Sequence, residues 1–296
     1  MLAALIFLAI FISSLFVGTM LAYPIYMVAS VLGEVEFSDV IILSTQITGL
    51  AGSFLYLRYT TDFTFENLGY AYRRPGATRE SIVSFAFGLI ILLLLGFSFY
   101  LLGIYDLHSS RDFELQAIPK LIIGALGTGV IVALYEETVF RGALLQGLYK
   151  KSSAPLAIII TSLAYSWVHF IQFDIPSGPD NITFLTAPTH FVSAYTDFLF
   201  GKKMDAFLSL FILGILLGMM RVKQRNIINC IGLHAGLVAG IKIFRYLAEY
   251  KPGNPHLYLV SSHDYRLGLL ASFWLFLAAL LYYFFSYRKM TVRSEE

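Results

Sequence analysis

Two adjacent glutamates, one arginine and two histidines are the residues of this chain whose types and positions could do chemistry. The stretch from Ala133 to Lys150, ALYEETVFRGALLQGLYK, alternates small and large apolar residues as a packed membrane helix does, yet it contains Glu136, Glu137 and Arg141. Charges buried in such a helix are costly and are kept mainly for chemistry or transport. On a helix Glu137 and Arg141 are four apart with the acid first, so they face each other and can neutralise one another. Glu136 is rotated from Glu137 by about 100° and has no such local partner. It is the candidate reactive group. His169 and His234 also lie in apolar segments, whereas His108, His190, His256 and His263 fall in loops.

A carboxylate and two imidazoles at one place suit general-base activation of water. They equally suit a zinc ion held by Glu136, His169 and His234 with one position open. The HExxH spacing of a zinc-peptidase helix is missing from the sequence. Blander readings stand beside these. A lone membrane histidine can simply hydrogen-bond a neighbouring helix, and Glu137 with Arg141 can be a purely structural pair.

The elements that must position these groups follow from composition. Of 296 residues, 57% are hydrophobic and 14% charged, against about 25% charged in soluble domains. The class is therefore all-α, a polytopic transmembrane helical bundle. A net charge of +2 gives no basis for a nucleic-acid partner. The single cysteine, Cys230, excludes an intramolecular disulfide framework and reads as a small core residue. Spans of about 20 apolar residues cross a bilayer core. Eight are predicted: Leu5 to Val28, Val40 to Tyr56, Ser81 to Ile104, one opening at Pro119 and carrying the glutamates, Ala154 to Ile171, Ala206 to Met220, Ile227 to Leu247, and Leu267 to Tyr287. The first lacks the basic start of a secretory signal and is expected to remain as a span. The second, with Thr45, Gln46 and Thr48, is expected to be the weakest. Arg58 to Glu80 reads as a surface helix or loop. Gln172 to Met204 is too polar to cross and reads as a lid or an interfacial segment. Without an internal repeat, residues 1–296 are treated as one integral-membrane domain.

Loop charges set the expected orientation. Arg58, Arg73, Arg74, Arg79, Lys150, Lys151, Arg221, Lys223, Arg225, Arg288, Lys289 and Arg293 lie on one side. Arg111, Lys120, Lys202, Lys203, Lys251 and Arg266 lie on the other. The larger set places both termini in the cytoplasm, at the inner membrane if the chain is bacterial. At 1.5 Å per residue, Glu136 and His169 then sit about 20 Å from the cytoplasmic end and His234 about 10 Å.

Three motifs in separate apolar helices, EETVFRG, YSWVH and HAGLV, resemble the CPBP family, which groups the type II CAAX prenyl endopeptidases with abortive-infection and bacteriocin-processing relatives. Glu136, Glu137 and Arg141 match its EExxxR. Tyr165 and His169 match an aromatic residue followed four positions later by His. His234 matches the third motif, in which Val238 stands where the family has Asn or a similar polar residue. The resemblance covers about 117–247, taken as the catalytic core. It implies an intramembrane endopeptidase in which Glu136 activates a water held with His169 and His234. One or both histidines would stabilise the oxyanion, and Glu137 and Arg141 would brace the helix. No cofactor is favoured, with zinc as the alternative. The substrate would be a peptide or protein, with a lipidated or membrane-bound one allowed.

Two other classes remain. A non-catalytic immunity or scaffold protein of the same fold is favoured by Val238. A transporter would explain buried Glu, His and Arg, but neither repeated halves nor paired broken helices are visible. The topology is testable directly. Reporter fusions at Ser294 and at Ser177 should label opposite sides of the membrane; labelling of the same side would overturn the span count between them.

Overall fold

The computed structural model describes residues 2–60, 64–70, 76–108, 117–170, 182–191, 203–262 and 264–288. It is a helical bundle: α1 (Leu2–Leu32), α2 (Phe37–Thr60), a single turn α3 (Phe65–Leu68), α4 (Ala77–Leu101), α5 (Ala117–Glu137), α6 (Leu145–Tyr149), α7 (Ala154–Val168), α8 (Met204–Gln224), α9 (Ile228–Leu247) and α10 (Leu269–Tyr282). A π-helical segment, Thr138–Leu144, joins α5 to α6, so that Ala117–Tyr149 is one continuous element of 33 residues. Large apolar side chains such as Leu93, Ile123, Ile131 and Phe285 point outward, as lipid contact requires. The chain is a multi-pass integral membrane protein.

Among the described residues seven helices are long and apolar enough to cross a membrane, close to the eight expected. The exception is α7, expected to reach Ile171 but ending after 15 residues at Val168. At 1.5 Å per residue it spans about 22 Å, short of a bilayer core. The least apolar span is α9, with a mean hydropathy of 1.3, and not α2 at 1.6. The reason is the polar set Asn229, His234, Lys242 and Arg245 on α9. Residues 186–191 are helical, so His190 lies in a helix rather than a loop. Most of the stretch 172–204, His263 and the C-terminal tail lie outside the described residues.

The connections after α4 and α9, expected to be polar links, each contain a short strand. β1 (Tyr105–Leu107) and β2 (Ala248–Tyr250) pair antiparallel, with Tyr105 opposite Tyr250. Tyr105 also donates to the Tyr265 carbonyl at 2.9 Å. This clasp ties the C-terminal ends of α4 and α9 together.

Packing places α9 at the centre, between α4 and α5. Along α5 it runs antiparallel: Lys242 reaches the Gly124 carbonyl at 3.0 Å and Thr128 at 2.7 Å, and His234 reaches Glu137. Backbones approach very closely on both sides of α9. A Cβ on Gly236 would sit 2.2 Å from the Phe85 carbonyl of α4, and one on Gly129 would sit 2.6 Å from the Ala235 carbonyl. Membrane helices use small residues for this purpose, since lipid supplies no hydrophobic drive for their association.

Gly236→Val should therefore force α4 and α9 apart and cost about 1–3 kcal/mol, read as a lower thermal midpoint in detergent. Gly127→Ala, at a glycine with nothing within 4 Å, serves as the control and should melt unchanged or higher. Equal midpoints for Gly236→Val and wild type would show that the close contact is absent.

Candidate active site

The glutamates end α5, where the helix widens. Thr138, the first π-helical residue, returns its hydroxyl to the Leu134 carbonyl at 2.5 Å and is also hydrogen-bonded to the Tyr70 hydroxyl. Local widening of this kind is frequent at functional sites, because it re-aims side chains without ending the helix. Through it the expected pair survives: Arg141 Nη1 donates to Glu137 Oε1 at 3.1 Å, and both side chains are fully buried. A second Arg141 contact reaches the Gly214 carbonyl of α8 at 3.4 Å, and the guanidinium carbon lies 4.4 Å from the centre of the Tyr165 ring. Nearby, the buried Arg221 donates to the Arg141 carbonyl at 3.3 Å and to Gln146 at 3.1 Å.

His234 joins this pair. Its Nδ1 donates to Glu137 Oε1 at 2.9 Å, the oxygen that already accepts from Arg141. The sequence assigned Glu137 to bracing the helix alone; the structure also makes it the residue that orients His234. Nothing in the spacing foretells a contact across 97 positions. His169 is held differently. It caps the C-terminal end of α7, where carbonyls lack intrahelical partners, and its Nδ1 donates to the Tyr165 carbonyl at 2.7 Å.

These two anchors fix the tautomers. A carbonyl can only accept, and a carboxylate bound to arginine accepts, so both Nδ1 atoms carry hydrogen. In the neutral imidazoles Nε2 is then a lone pair. Both lone pairs aim at one atom, Glu136 Oε2, at 3.4 Å from His169 and 3.7 Å from His234. Those separations exceed a normal N–H···O bond. Glu136 Oε2 is buried and makes no hydrogen bond to the protein. Three acceptors with no donor among them call for a molecule that brings protons, and water does so.

The depth offset expected for His234 lies in the helix ends and not in the site. Glu137 is 12 residues from the end of α6 and His234 six from the start of α9, so α6 projects about 9 Å further. Cys230 is buried, with its Sγ 3.4 Å from the Leu217 carbonyl.

A cavity of about 320 Å³ opens from Glu136, His169 and His234 along α9 and α4. Its walls are nearly all apolar, with Asp264 and Arg266 at the far end beside Ala271 and Trp274. Val238 lines it one turn beyond His234. Among the described residues no group of three or more His, Cys, Asp or Glu is disposed to hold a metal ion.

Residues 118–239 match the family model of the type II CAAX prenyl endopeptidase, Rce1-like. This segment, less than half of the chain, is similar to that family. It contains Glu136, Glu137, Arg141, Tyr165, His169 and His234, and it agrees with the resemblance read from the three motifs. It leaves out α1, α2, α4 and α10, which lie outside the matched residues. No curated protein and no solved structure matches the chain.

The buried pair is testable apart from any activity. Glu137→Gln or Arg141→Ala leaves an uncompensated charge, worth about 3–5 kcal/mol when buried, and should lower folded yield sharply. Combining the two should cost less than the sum of the singles. Additive losses in a double-mutant cycle would show that the charges do not meet.

Proposed function

We propose that this protein is an intramembrane endopeptidase of the CAAX protease type, with Glu136 as general base and His169 and His234 holding its water. The observation that carries this reading is the buried, unpartnered Glu136 Oε2 faced by two imidazole Nε2 atoms. Residues 117–247 are taken as the catalytic core, within a single domain of 296 residues.

In the proposed reaction the water donates to Glu136 as its oxygen attacks the peptide carbonyl carbon. That proton then passes to the departing amine nitrogen. The C–N bond breaks, the new carboxyl keeps the water oxygen, and Glu136 returns to the carboxylate. A histidine that donates to the oxyanion must do so from Nε2, since Nδ1 is committed in both rings. It must therefore be the imidazolium form at that moment. The low-dielectric surroundings would strengthen every such contact. The apolar cavity suits an apolar side chain or a lipid-modified residue of a membrane-bound substrate.

A second reading is supported by Val238. It places an isopropyl group on the cavity wall, where the family resemblance implies a polar side chain. In that reading the fold binds a partner as an immunity or scaffold protein and cleaves nothing.

Peptide cleavage by purified protein in detergent separates the readings. Glu136→Gln keeps the shape but cannot take the proton, and should slow cleavage by about 10²–10⁴. His169→Ala and His234→Ala should be similarly slow and folded. A chelator should leave the wild type unchanged; loss that metal restores would favour the zinc alternative. Full activity of Glu136→Gln would overturn the assignment. A wild type that binds a partner but cleaves nothing would favour the second reading, with Val238→Asn as the rescue.

A further inference from the structure

Glu136 and His169 are the meeting point of two cavities. The apolar one runs along α9 from His234 to Phe244, a length of about 15 Å, room for about four extended residues. A second, of about 220 Å³, lies towards α1 and α2 and is walled by Phe11, Leu15, Ile42, Thr45 and Gln46. Among their described lining residues the two share Glu136 and His169 and no others. They flank α5 on different faces: Gly129 meets α9, while the Tyr135 hydroxyl lies 3.2 Å from where a Cβ on Gly49 of α2 would be. The second cavity carries polar groups from Thr45, Gln46 and Tyr135, in contrast to the greasy wall of the first.

A site that removed only a terminal residue would need room on one side of its base. Cleavage within a chain needs room on both. We infer that the scissile bond lies across Glu136, with the substrate on one flank in the apolar cavity and the other flank between α1 and α2. The inference rests on the endopeptidase reading. It adds that α1 and α2, outside the family-matched segment, read the residues on one side of the cleavage point. Ile42 and Gln46 are the positions best placed to do so, since both are exposed on the cavity wall and serve no core contact.

Disulfide trapping tests this, because the native Cys230 is buried and will not compete. In the Glu136→Gln background, Gln46→Cys and Ile241→Cys each place one thiol in one cavity. The probe is a peptide that the wild type cleaves, with a single cysteine moved stepwise along it. Gln46→Cys should trap positions on one side of the scissile bond and Ile241→Cys positions on the other. In the otherwise wild-type protein, Ile42→Trp and Gln46→Trp should fill the second cavity. They should lower kcat/KM by about tenfold or more for peptides extended on the flank that Gln46→Cys traps, and spare peptides cut short there. Trapping of the same flank by both cysteines, or no trapping by Gln46→Cys, would overturn the inference while leaving the endopeptidase reading in place. A wild type that cleaves no peptide would sink both.

Discussion

One buried carboxylate oxygen, Glu137 Oε1, holds this bundle's polar centre together. It accepts from Arg141 on its own helix and from His234 on α9. Removing Glu137 strands the Arg141 charge and the His234 donor in apolar surroundings, and removing Arg141 strands the Glu137 charge. The pair therefore fixes the register of α5 against α9. Through the Arg141 contacts to Gly214 and Tyr165, it fixes α8 and α7 as well. Close approach at Gly129 and Gly236 is what lets these short polar reaches be made at all.

From this anchor follows the division of labour between two adjacent glutamates. Glu137 is saturated on one oxygen by two donors and points into the bundle. Glu136, about 100° round the helix, faces two cavities and meets imidazoles whose hydrogens are already committed elsewhere. An acceptor-rich pocket of this kind has affinity for water. The bracing residues thus do more than support a helix. By taking the Nδ1 hydrogen of His234, Glu137 decides which nitrogen that ring turns to the site, as the Tyr165 carbonyl does for His169.

Much of this was legible in the sequence because it depends on local rules. Span positions came from apolar runs, and the Glu137–Arg141 contact from four-residue spacing that even a π-helical turn preserves. Glu136, His169 and His234 were singled out because charge and imidazole are expensive in such helices, and they do converge. The link from His234 to Glu137 was not legible, since it joins residues 97 apart through packing alone. The early end of α7 was hidden for a related reason: Phe170 and Ile171 continue the apolar run, while the backbone stops where His169 caps it. The β1–β2 clasp escaped because three-residue strands leave no periodicity to read. The second cavity could not be foreseen, as it arises from α1 and α2 packing onto the far side of the glutamate helix.

The central claim is that both histidines present bare Nε2 atoms to Glu136, and nitrogen NMR of the imidazoles tests it most directly. Protein labelled with ¹⁵N-histidine in detergent micelles, with signals assigned through His169→Gln and His234→Gln, reports the tautomer of each ring. Both neutral rings are predicted to carry hydrogen on Nδ1 and none on Nε2. An Nε2–H tautomer at His234 would contradict the account, for it would mean that Glu137 does not hold that ring and that a donor stands among the acceptors facing Glu136.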